Sequence, residues 1–81
     1  MHKTMANQVS KRNAKNEAAA YVRSLVSEGY IIRVMHNDDS SDFGYCSLKH
    51  TMNRNVIHVY TYPLRWCVYK NGFCIKDESW E

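Results

Sequence analysis

The sequence predicts an α+β domain, with one N-terminal helix packed on one face of a four- or five-stranded antiparallel β-sheet built as a meander of hairpins. Three observations carry this reading. Helical periodicity occurs in one stretch, between residues 13 and 28. From Tyr30 to about residue 78 the chain turns β-branched and aromatic. These apolar runs are divided by tight-turn signals, and no second helical stretch follows them.

In the helix, Ala18, Tyr21, Val22, Leu25 and Val26 recur at helical spacing and form one apolar stripe. Asn13 suits the N-cap, with Ser10 as the alternative for an earlier start. Gly29 suits the left-handed residue that ends a helix. Residues 1–9 read as a flexible lead. Lys11, Arg12, Lys15 and Arg23 fall off the stripe, towards water, as a basic patch.

"YIIRVMH", from Tyr30 to His36, reads as the first strand. The polar run "NDDSSDFG" breaks it. Beyond Tyr45 three turns set a register. Asn71-Gly72 suits a type I′ hairpin, Pro63 suits the first central position of a tight turn, and Asn53-Arg54 gives a third. Two-residue loops set Met52 opposite Asn55, Tyr62 opposite Arg65, and Lys70 opposite Phe73. Opposed residues share a face, and faces alternate along a strand. One face then collects Cys46, Leu48, His50, Ile57, Val59, Thr61, Trp66, Val68, Phe73 and Ile75. The other collects Tyr45, Ser47, Lys49, His58, Tyr60, Tyr62, Arg65, Cys67, Tyr69, Cys74 and Lys76. The first is the expected core face. The sequence leaves open whether the first strand lies at the edge or in the middle of the sheet, and an exposed edge is itself a docking site.

Eighty-one residues make a single small domain, 1–81, with little stability to spare. A 44% hydrophobic content is that of a folded chain. No apolar run approaches the roughly 18 residues of a membrane span. The N-terminus has no apolar signal core, and the chain reads as a whole small reading frame. Cys46, Cys67 and Cys74 are odd in number and form no C-x-x-C, so reduced thiols and a cytoplasmic location are expected. The net charge of +3 is concentrated in residues 1–33, where Lys3, Lys11, Arg12, Lys15, Arg23 and Arg33 face Glu17 and Glu28. A solvated helix face accounts for that surplus as well as an acidic partner does.

Metal and cofactor motifs are absent. Cys46 and His50 stand roughly 13 Å apart on one strand face, too far to share an ion. His36 with Asp38, Asp39 and Asp42 lacks the spacing of a calcium loop. No metal or cofactor is expected.

The binding candidates are Tyr45, Lys49, His58, Tyr60, Tyr62, Arg65, Tyr69 and Lys76. Tyrosine and arginine are the residue types enriched at interface hot spots. Rings interleaved with cations also stack unpaired bases. Tyrosine is equally a good strand former, so cross-strand pairs can serve the sheet alone. The expectation is a small non-enzymatic protein that binds a macromolecule, most simply a protein, through this face. Phage or mobile-element inhibitors of host defence proteins share that size and plan, an analogy of design and not of residues. The second reading is nucleic-acid binding through the same face plus the basic helix patch. The third is a small ribonuclease using His58. A homodimer through the sheet would cover the face equally well, and no membrane partner is expected.

Overall fold

Residues 13–37 and 43–80 are described by a computed structural model. Helix α1 runs Ala14–Ser27. Asn13 caps it, its Oδ1 accepting from the Asn16 backbone N–H at 3.0 Å. Ala14, Ala18, Val22 and Leu25 form the buried stripe. Tyr21 is half-buried, and Val26 is exposed at the rim. Gly29 ends the helix with φ +107°, its N–H donating to the Val26 carbonyl.

Five strands follow: β1 (Tyr30–Asn37), β2 (Gly44–His50), β3 (Val56–Tyr62), β4 (Arg65–Lys70) and β5 (Phe73–Ser79). Their order in the sheet is their order in the chain, antiparallel throughout, so β1 and β5 are the edges. Helix α1 packs on β3, β4 and β1. Leu48, Ile57, Val59 and Val68 lie beneath it, at most 2% exposed. Trp66 is the centre of this layer. Its ring stacks at a tilt on Tyr21, and its Nε1–H donates to Glu17 Oε1 at 3.1 Å. Trp80 packs against the edge of the same core, and its N–H donates to the Leu64 carbonyl.

Two of the three expected turns form as two-residue loops. Asn71 and Gly72 both have positive φ, 52° and 89°, as a type I′ turn requires. Asn71 also reaches across to β3: its Oδ1 accepts from the Val56 N–H, and its Nδ2 donates to Asn55 Oδ1. Pro63-Leu64 joins Tyr62 to its partner Arg65. The third expectation is corrected. The β2–β3 connection runs from Thr51 to Asn55, and His50 donates its N–H to the Asn55 carbonyl. Leu48 therefore faces Ile57, where the tighter turn would have set it opposite Val59. The slip is of two positions, so both faces keep their residues.

The longer loop has a use. Thr51 donates twice to the Gly29 carbonyl, from its N–H and from its hydroxyl. His50 Nδ1 accepts from the Met52 N–H, so the ring proton sits on Nε2, 3.0 Å from the Glu28 carbonyl. Carbonyls just past the helix end are thereby satisfied by the sheet.

On β5 Phe73 pairs with Lys70 as expected, and the expected faces fail from Ile75 onward. A bulge sets Tyr69 opposite Cys74 but Val68 opposite Lys76, leaving Ile75 as the extra residue. From there each side chain changes sides. Lys76 comes to the helix side, 5.6 Å over the Trp66 ring and paired with Glu78. Phe73 and Ile75, expected in the core, are 75% and 49% exposed.

Among the described residues no helix is long and apolar enough to cross a membrane. Gly29 and Gly72 both hold a left-handed backbone, but only Gly29 is crowded: a Cβ there would meet the His50 ring at 2.9 Å, whereas one at Gly72 meets nothing within 4 Å. Gly72→Ala is expected to cost about 1 kcal/mol, and Gly29→Ala roughly 2–3 kcal/mol. Urea unfolding compares the two. Equal losses would show that the His50 contact is immaterial.

Candidate functional site

The face of the sheet opposite α1 carries four of the six tyrosines. Alternation along β2, β3 and β4 puts Tyr45, His58, Tyr60, Tyr62, Arg65 and Tyr69 there together, with Lys49 towards one end opposite Val56. No described element lies over them.

The rings form a continuous layer. Tyr45 and Tyr60 are directly paired, with centroids 5.1 Å apart. Tyr45 and His58 stack at 5.9 Å, and the Tyr45 hydroxyl lies 2.8 Å from His58 Nδ1. Tyr60 meets Tyr69 edge-on at 5.9 Å. Small residues sit beside large ones. Ser47 is paired with His58, and Cys67 with Tyr60; both small residues are buried although they point away from the core. The rings spread over them, so most are half-exposed. Burial and the neighbouring Tyr45 and Tyr62 phenols push the Tyr60 hydroxyl above its usual pKa.

Two rings escaped the sequence reading. His36 pairs with Tyr45 across β1 and β2 and stacks on it at 6.4 Å. Phe43, 56% exposed, meets Tyr62 edge-on at 6.1 Å. The signal for His36 lay in the β1 register, which a bulge between Ile32 and Val34 hides from simple alternation.

The charge of this face is weaker than the sequence suggests. The β5 bulge takes Lys76 to the helix side and brings Asp77 to Cys67. Asp77 then binds Arg65, whose Nε–H and Nη2–H donate to its two oxygens at 3.1 and 3.4 Å. The Arg65 guanidinium also lies 5.4 Å over the Tyr62 ring. The basic helix patch does not join this site. Lys15 and Arg23 flank a groove between α1 and β1 on the other side of the sheet, while Lys11 and Arg12 lie outside the described residues.

All three cysteines are free, with Cys46 and Cys67 buried and Cys74 exposed. Among the described residues no three His, Cys, Asp or Glu side chains gather as a metal site. Asp38, Asp39 and Asp42 lie outside them. Comparison with known protein families, with characterised proteins and with solved structures finds no match to this chain.

Desolvation pushes the Cys46 and Cys67 thiols up in pKa. Two outcomes follow. A thiol-disulfide reagent near pH 8 is expected to titrate Cys74 quickly and the other two only on unfolding; a fast phase that survives Cys74→Ser would contradict the burial of Cys67. The raised thiols add stability that is complete below the ordinary thiol pKa of about 8.5 and is lost as pH rises through the folded values. The urea midpoint should therefore fall above that pH, and less so in a Cys46→Ala variant.

Proposed function

We propose that this chain is a non-enzymatic interaction protein that docks its open tyrosine face on a protein partner. The observation that carries the reading is a contiguous ring layer, His36, Tyr45, His58, Tyr60 and Tyr69, with the Phe43–Tyr62 pair beside it, on a sheet face that no described element covers. Rings already packed on one another lose little conformational freedom when a partner covers them. The weakened charge favours a protein over nucleic acid. Arg65 is held by Asp77, Lys76 points to the other side, and the basic helix residues described lie behind the sheet. A phosphate backbone calls for several cations on the contact face. On this reading the chain works by occupying a partner's surface, as a phage or mobile-element inhibitor of a host defence protein would.

Affinity capture from host lysate, with and without nuclease, tests the partner class. A specific protein that remains after nuclease supports the proposal. Material that vanishes with nuclease and binds with steep salt dependence would replace it with base stacking on the same rings. With the captured partner, Tyr60→Ala is expected to weaken binding by about 2 kcal/mol, near thirtyfold, while circular dichroism stays unchanged. Unchanged binding in both Tyr60→Ala and Tyr62→Ala would place the interface elsewhere.

A further inference from the structure

Edge strands of soluble proteins are usually blunted by charge, shortness or cover. β5 follows that rule. It is bulged, and Lys76, Asp77 and Glu78 charge its length. β1 does not. Ile31, Ile32, Val34 and Met35 are 54%, 43%, 42% and 50% exposed, and Arg33 is the single Lys, Arg, Asp or Glu within the strand. No described strand pairs with its outer side.

Beside this edge a groove of about 350 Å³ opens between β1 and α1. Ala18, Ala19, Val22 and Val26 line its helix wall, and Ile32 and Met35 its strand wall. Arg23 stands exposed along the helix rim, and among the described residues no Asp or Glu lines the groove. At about 1.5 Å per residue, the helix wall from Lys15 to Val26 is roughly 16 Å long. That accommodates about five residues of extended chain. An edge strand with a helix-walled groove at its side suits strand addition. The incoming main chain bonds to the edge, and its alternate side chains enter the groove.

We propose that the β1 edge and this groove bind an extended segment of a partner protein, apolar at alternate positions and acidic where it meets the helix rim. Charge selects this occupant over a second copy of the chain. Two copies joined edge to edge by a two-fold axis would bring Arg23 and Arg33 of each towards the same cations of the other, on chains of net charge +3. An acidic strand meets the cations with opposite charge. Most of the groove lies across the sheet from the tyrosine layer, with His36 and Tyr45 shared between them, so Tyr60, which does not line the groove, separates the two sites.

The test is a phage-displayed library of random octapeptides, panned on the full chain. Enriched peptides should alternate apolar residues and carry Asp or Glu. A synthetic winner should bind at least tenfold more weakly to Met35→Lys, and within twofold of the parent to Tyr60→Ala. Arg23→Glu should weaken it several-fold, and exchanging the peptide's acidic residue for Lys should restore binding to that variant. Should Met35→Lys not fold by circular dichroism, Val26→Lys on the opposite wall takes its place. Three results would overturn the proposal. They are no enrichment, winners that lose binding with Tyr60→Ala but not with Met35→Lys, and a dimer by light scattering that Met35→Lys converts to monomer.

Discussion

One helix must cover a sheet too wide for it. Helix α1 has 14 residues, and a helix is about 10–12 Å across, whereas five strands span roughly 20–25 Å. Covering the middle of one face exhausts it. Trp66 and its bond to Glu17 tie that cover to β4, and it lies over β3 with β4 and β1 to either side. Whatever remains uncovered has to be dealt with by other means, and each part of the sheet does so differently. β5 turns charged side chains towards the helix flank through its bulge. The far face packs rings against one another. β1 keeps its apolar side chains exposed, with an open groove beside them.

The sequence made the central strands legible because side-chain alternation tolerates some errors and not others. At the β2–β3 connection the expected turn was too tight, and the register slipped by two positions. Leu48 and Tyr45 kept their sides. At Ile75 one extra residue was enough to reverse everything after it, and Lys76 changed sides with Asp77. Nothing in the local pattern marks that bulge. The contacts that go with it lie across the ladder, in the Arg65–Asp77 pair and in Lys76 over Trp66. The same is true of β1. Its place at the edge and its bulge before Val34 depend on pairing with a distant segment, so His36 was read as a strand end and not as a member of the ring layer. Helix boundaries were legible to within a residue because Asn13 and Gly29 act locally.

The ring layer is held by its own contacts. Ser47 and Cys67 are small enough to let His58 and Tyr60 lean over them, which buries two residues on a face that no described element covers. Its arginine, too, is engaged from within the sheet, by Asp77.

The meander order has a kinetic consequence. Each strand pairs with its neighbours in sequence, so every ladder closes a short loop at small entropic cost. The helix is different: its bond from Glu17 to Trp66 joins residues 49 apart in the chain. Contact order therefore places hairpin formation early and helix docking late. A contact made after the transition state governs how fast the fold comes apart, not how fast it forms. The tryptophan under the helix is in this sense a brake on unfolding, while the hairpin turns set the pace of assembly.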